Sequence, residues 1–267
     1  MQRFPVGAHP TFKSPTILEA LCEVHFRVSP EHPWTATKPG DFFQHVCTDY
    51  PTIEPIVEQA VQLTIGPDKM PRQEFLAPRL KFKFTHRDSA HPTLLQVSDS
   101  TFALNCLSPY PGWETMKAKL LSAWAIFREQ AQPVEITRIG LRYINRVRRL
   151  SKDEQPSYWL RETELIPAAV LKSREGFSFR LELRLDDHNR LFTTIAHAMG
   201  PDTGEFGALF FDVDRVVERG VTTHDNALDS AMETLHEDVW NVFVNAKNKN
   251  YDRLLNRETF DVVGGAA

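Results

Sequence analysis

Sixteen residues near the middle of the chain, 134–149 (VEITRIGLRYINRVRR), alternate so regularly that few backbone conformations can carry them. Ile139, Leu141, Tyr143, Asn145 and Val147 form one set. Arg138, Gly140, Arg142, Ile144, Arg146 and Arg148 form the other. Successive side chains leave a pleated strand on opposite faces, so a period of two predicts a strand. Burying each apolar member of the first set is worth about 1.5–3 kcal/mol, and a slip of one residue would turn them all outward. The register is therefore fixed, and the second face carries four arginines.

The remaining elements fall before and after this strand. Residues 16–28 predict a strand, with Ala20, Cys22, Val24 and Phe26 on one face and Glu19, Glu23, His25 and Arg27 on the other. Residues 29–39 read as a loop, 41–50 as a short helix stopped by Pro51, and 56–65 as a weak strand before a turn at Gly66-Pro67-Asp68. Three strands follow at 75–86, 93–98 and 101–107. Trp113, Met116, Leu120, Ala123, Trp124 and Phe127 then recur at helical steps, which predicts an amphipathic helix over 113–130, closed by Pro133. Beyond the central strand comes a polar link with a short helix around 158–166, then strands at 177–186, 191–199 and 206–216. The first two are joined by Asp187-His188-Asn189. The last helix covers 225–247, striped by Leu228, Met232, Leu235, Val239, Val242 and Ala246, with Thr222, Thr223 or Asp225 as its cap.

Each half thus reads as strand, linker, three-strand meander and long helix. The expected class is α+β: two similar antiparallel-sheet units, at 14–132 and 133–250, each with a long helix packed on one face. Residues 1–13 and 260–267 are expected to be loose termini. The repeat lies in element order and not in residue identity.

A net charge of −4 gives no whole-molecule attraction to nucleic acid or to anionic lipid, so any such binding must be local. Cys22, Cys47 and Cys106 are odd in number and sit in apolar runs. They fit reduced core cysteines of a cytoplasmic protein better than a disulfide frame. The N-terminal stretch lacks a signal-peptide core, and no run nears the roughly 18 apolar residues that span a bilayer.

Four stretches carry a resemblance: SPTILEALCEVHFRV at 14–28, LLQVSDSTFALNCLSPYPGWETM at 94–116, ITRIGLRYINRV at 136–147, and LHEDVWNVF at 235–243. Together they resemble a large, sporadically distributed bacterial family of conserved proteins without an established activity. Its hallmarks are a Pro-Pro-Ile-x-Glu-Ala start, a Leu-x-Gln-Val strand, an Asn ahead of a Tyr-Pro-x-Trp helix start, and a Tyr-Ile-Asn-Arg strand. The one departure is Pro15-Thr16 in place of Pro-Pro. The resemblance implies no particular chemistry; the frequent placement of its members beside mobile or defence-type genes points toward partner binding. By element order alone, each half is also similar to the SecB-type export chaperone, and fold does not carry function.

The arginine face is the first candidate for chemistry. Arg138, Arg142, Arg146 and Arg148, with Lys81 and Lys83, can hold phosphates or an acidic peptide. The simpler expectation is a ladder of ion pairs with Glu19, Glu23, Glu182 and Asp186, formed where strands 16–28 and 134–148 meet. Tyr143 and Asn145 lie on the apolar face, so each needs a hydrogen-bond partner and can pin the junction. Asp212 and Asp214 share a strand face and can bind a divalent ion; pairing with neighbouring arginines is the plainer expectation. His236-Glu237 begins like a zincin motif, but the second histidine position is Trp240, so zinc is not expected and His236 reads as a rim residue. His197 reads as a satisfied core histidine. Trp113, Trp124, Phe127, Trp240 and Phe243 read as core. No phosphate-cradling glycine loop or Gly-x-Ser-x-Gly elbow occurs.

The expected function is a non-enzymatic binding or chaperone-like interaction protein without a cofactor or bound metal. A protein is its expected partner, with Arg138, Arg142, Tyr143, Asn145, Arg146 and Arg148 as contact residues. The alternatives are a nucleic-acid or nucleotide binder using the arginine face, and a metal-dependent enzyme using Asp212 and Asp214. Exposed strand edges allow a homodimer.

Overall fold

A computed structural model describes residues 9, 11–58, 61–65, 71–75, 78–174, 176–200, 203–220 and 222–256, with side chains undescribed in 61–65, 71–75 and at 225. The first half supplies β1 (Ile17–Val28), α1 (Lys38–Val46), β2 (Thr52–Glu58), β3 (Val61–Ile65), β4 (Pro71–Phe75), β5 (Arg79–Thr85), β6 (Thr93–Val97), β7 (Thr101–Leu107) and α2 (Trp113–Ala131). The second supplies β8 (Pro133–Arg148), a 3-10 turn (Pro156–Tyr158), α3 (Ala168–Leu171), β9 (Phe177–Arg184), β10 (Asn189–Ala198), β11 (Ala208–Val217), α4 (Asp225–Ala246) and α5 (Lys249–Leu255).

Among the described residues, nine strands form one antiparallel sheet in the order β2-β5-β6-β7-β1-β8-β11-β10-β9. The α+β class holds, but two separate sheets do not. β1 and β8 pair along almost their whole length, from Ile17↔Asn145 to Val28↔Pro133, and fuse the halves into one sheet. The physical reason is edge satisfaction: each half alone would leave a long row of unpaired backbone groups on its first strand, and each row is the template for the other. The order is symmetric about this seam, with β7 beside β1 and β11 beside β8. β3 and β4 form a hairpin apart from the main sheet.

The alternation of β8 predicts its faces correctly. Ile139, Leu141, Tyr143 and Val147 are buried beneath the helices, whereas Arg138, Arg142 and Arg146 lie half-buried on the open face. α2 and α4 pack against each other, α2 over β7 and α4 over β8 and β11. Phe26, Phe42, Phe84, Phe102, Trp124 and Phe127 make one aromatic cluster under α1 and α2. Phe211, Phe243, Tyr251 and Trp159 make another at the far end of α4. Both belong to one continuous core.

Several boundaries differ from expectation. α1 starts three residues early because Pro39 suits the first helical turn. The expected strands over 56–65 and 75–86 are each broken, giving β2 with β3 and β4 with β5. The turn at 66–68 lies outside the described residues. The short helix around 158–166 reduces to the 3-10 turn, and α3 forms beyond it. His224 occupies the N-cap position of α4 without a side-chain bond, in place of the expected Thr222, Thr223 or Asp225. α5 was not expected. Its cap is Asn248, whose side chain accepts from the amides of Asn250 and Tyr251 at 2.8 and 3.2 Å. Of the expected loose termini, 260–267 lie outside the described residues, as do 1–8 and 10. His9 and Phe12, by contrast, pack on Trp240 of α4.

Candidate functional site

The six expected contact residues do not form one surface. Tyr143 and Asn145 face the helices, and Arg138, Arg142, Arg146 and Arg148 face the other way, because neighbours on a strand leave opposite sides of the sheet. No single ligand can touch both sets.

The open face is largely internally neutralised. The Arg142 guanidinium makes a two-pronged bond to Asp212, Nε to Oδ1 at 2.9 Å and a terminal nitrogen to Oδ2 at 2.6 Å. Arg138 donates to Glu23 at 2.7 Å and lies 2.9 Å from the His25 ring. Burial opposes ionisation of Glu23, but His25 and Arg138 outweigh it and hold its pKa at about 2. Asp214 makes no hydrogen bond or ion pair among the described residues, and burial raises its pKa against the pull of Arg138 and Arg142. Arg146 and Arg148 make no ion pair among the described residues. The expected ladder is therefore met in part: Glu23 pairs with Arg138 and Asp212 with Arg142, whereas Glu19, Glu182 and Asp186 are engaged elsewhere. Glu19 accepts from Asn105, which in turn accepts from Gln96 at 2.9 Å. Glu182 pairs with Arg190 and lies on the distant β9, and Asp186 is engaged by Asn189 of its own turn. Lys81 and Lys83 pair with Glu58 and Glu54 of β2. Among the described residues no group of three His, Cys, Asp or Glu side chains is placed to hold a metal ion. Asp212, committed to Arg142, has no oxygen free of that fork.

The helix side holds a different object. A cavity of about 330 Å³ lies over the β1–β8 seam, where the first turn of α2 meets the middle of α4. Four main stretches far apart in the chain build it, and Val213 of β11 and Leu255 of α5 complete the walls. Phe12, Pro15, Thr16 and Ile17 come from the entry to β1; Tyr110, Gly112 and Trp113 from the start of α2; Tyr143 and Asn145 from β8; Glu233, His236, Trp240 and Phe243 from α4. Gly112 has φ +94, a conformation open to glycine at little strain, and this bend launches α2 with Trp113 facing the cavity. These stretches include the Tyr-Pro-x-Trp and Tyr-Ile-Asn-Arg motifs and the segment around Pro15-Thr16.

The cavity's polar groups are held in fixed positions. The hydroxyls of Tyr110 and Tyr143 are 2.9 Å apart. Thr16 donates to Asn145 Oδ1 at 3.0 Å, with the Tyr251 hydroxyl 2.8 Å from the same Thr16 oxygen. Asn145 Nδ2 donates to the carbonyl of Phe211. The junction-pinning role expected of Tyr143 and Asn145 is thus met, and both also line the cavity. Trp113 Nε1 donates to Glu233, which is paired with Lys117. His236 lies flat on Trp113, with ring centroids 4.0 Å apart and planes 1° from parallel. His236 is therefore not a rim residue. It is 7% exposed, and burial depresses its pKa to about 3, so it is neutral at physiological pH. His9 pairs with Glu237 at 2.9 Å, and Phe12 stacks on Trp240. The Trp240 indole N–H is buried without a partner among the described residues.

The sequence places Trp113, Trp240 and Phe243 in the core; Phe243 is buried there, Trp113 packs against it and Trp240 is half-buried, and all three also wall the cavity. A usable signal was present: Glu233, His236 and Trp240 are three and four apart, so they share one helical face beside the apolar stripe. His197 is half-buried and satisfied by Arg149 and the Phe206 carbonyl, as expected in kind. Cys22 and Cys106 are buried as expected, whereas Cys47 is only partly so.

No family model matches the chain, and no curated protein matches it in sequence. Among the described residues no helix is long and apolar enough to cross a membrane.

Proposed function

We propose that this chain is a non-enzymatic binding protein of the bacterial cytoplasm, related to the motif family it resembles, and that the cavity over the β1–β8 seam is its recognition element. The convergence of four distant chain segments on one cavity carries this proposal. A cavity this large, with aromatic walls and a few fixed polar groups, has the character of small-molecule sites. The ligand group is a flat apolar body with one hydrogen-bonding end. Its charge is neutral or positive, because the lining carries Glu114 and Glu233 and, among the described residues, neither lysine nor arginine. An exposed aromatic side chain of a partner protein offers the same chemistry.

Binding fits better than turnover. Tyr143, Asn145, Glu233 and Thr16 each already hold a partner, and His236, its pKa depressed to about 3, is uncharged and a weak base at pH 7. The arginine face favours a nucleic-acid partner less, since Arg138 and Arg142 are paired with acids of their own sheet.

Three probes with one ring and three charges test the proposal: indole, tryptamine and indole-3-acetate, titrated by calorimetry. The first two are expected to bind and the anion to bind at least tenfold more weakly. Val213→Phe, which fills the cavity, should abolish binding while the far-ultraviolet circular dichroism is kept. Undiminished binding in that folded variant would sink the proposal.

A further inference from the structure

The two ends of the sheet are not alike. In the first half the meander's outer strand, β5, is followed by β2, and α1 covers its inner side through Phe42 and Phe43 against Phe84. In the second half β9 is the last strand, and the segment corresponding to α1 is the single turn of α3. Among the described residues, β9 therefore ends the sheet with an unpaired backbone row. Its inner side chains, Phe177, Phe179 and Leu181, are half-buried. Leu183 is 38% and Leu185 47% exposed. The β2 edge is blunted by Pro55 and by Glu54 and Glu58. β9 contains neither proline nor glycine.

The outer face of β9 continues the pattern. Arg180, Glu182, Arg184 and, just past the strand, Asp186 alternate in sign at every second residue. Such a stripe complements itself when run antiparallel, with the charges of a second copy competing against the exposed pairs Glu182–Arg190 and Arg184–Asp187. With the two-fold axis at Leu183, Glu182 faces Arg184 of a second copy, which symmetry makes two opposite-charge pairs within the strand; Arg180 meets Asp186 of the hairpin turn twice more, where that carboxylate is also held by Asn189. The same register places Leu183 on Leu183 and Leu181 on Leu185, covering the exposed leucines. Centring on Leu181 gives only two charge pairs and leaves Arg184 opposite Ser178. Opposite charges directly across a strand pair attract and like charges repel.

We infer that β9 is a self-association edge: two copies join β9 to β9 in antiparallel register about Leu183, making one sheet that runs through both molecules. The dimer is isologous, as a two-fold requires. It is independent of the cavity, which lies at the sheet's centre.

Charge reversal tests both the surface and its register. In sedimentation velocity the wild-type chain should be a dimer. Glu182→Arg puts like charges together twice at the two-fold, and Arg184→Glu does the same with the other sign. Each variant should dimerise at least tenfold more weakly while its circular dichroism is unchanged. An equimolar mixture of the two variants should dimerise as the wild type does, because each then meets its opposite. A monomeric wild type at 100 μM would overturn the inference. So would a wild-type dimer that survives both reversals, or variants that stay apart on mixing, since these place the contact or register elsewhere.

Discussion

At the scale of single residues, the central strand shows how one backbone carries two unrelated jobs. Arg142 and Tyr143 are adjacent in sequence and lie on opposite sides of the sheet, one neutralising Asp212 and the other facing the cavity. Removing the Asp212 carboxylate leaves the guanidinium without its fork, and a charged hydrogen bond is worth roughly 1.5–3 kcal/mol. Asp212→Ala is accordingly expected to lower the unfolding free energy by about 2 kcal/mol, measured by urea titration. Loss of Mg²⁺-dependent activity in Asp212→Asn would instead revive the metal alternative. His236 gives a pH signature. Its folded pKa, about 3, lies below the ordinary histidine value, so between pH 6.5 and 3 the unfolded chain takes up a proton that the folded chain refuses. Stability should fall through that window by roughly 1 kcal/mol per pH unit from this group. His236→Phe, which keeps a ring against Trp113, should show a shallower decline over the same pH range. An identical decline in both proteins would show that His236 titrates normally.

At the scale of elements, legibility followed periodicity. β1, β8, α2 and α4 are readable because one face of each is apolar at a constant repeat that burial rewards; β9 is readable from its alternation although its apolar face is only half-buried. The strands expected at 56–65 and 75–86 fail as single elements because their pairing partners change partway. β5 pairs with β2 and β6, whereas among the described residues β3 and β4 pair only with each other. Partner changes leave no mark on local hydropathy. α5 is short and depends on one side chain. Asn248 caps its amides and also donates to the carbonyls of Ser157 and Tyr158. Asn248→Ala should therefore destabilise the chain by about 1 kcal/mol or more. Hydrogen exchange should speed up first in α5 and at the 3-10 turn, and exchange spread evenly over the sheet would count against this local role.

At the scale of the whole molecule, the seam between β1 and β8 decides the behaviour of the chain. The halves at 14–132 and 133–250 look autonomous by element order, but they share a sheet and a core. Each half expressed alone is expected to be insoluble or partly unfolded, and the intact chain to unfold in one transition in urea. A folded, monomeric isolated half, or two resolved transitions, would show that the seam is a contact between domains and not part of one fold. The cavity belongs to the same scale, because its walls come from both halves and from the entry to β1.

The sequence by itself determined the period-two strands, the two amphipathic helices, the α+β class and the face of β8 on which each side chain lies. All of these follow from local repeats weighed against burial. Only the tertiary structure decided that the two meanders form one sheet, that of the candidate acids Glu23 and Asp212 meet the arginines while Glu19, Glu182 and Asp186 do not, and that Trp113, His236 and Tyr143 surround a common cavity. Those outcomes depend on which distant backbone rows satisfy each other, and hydrogen-bonding demand is the same for every strand until the chain has folded.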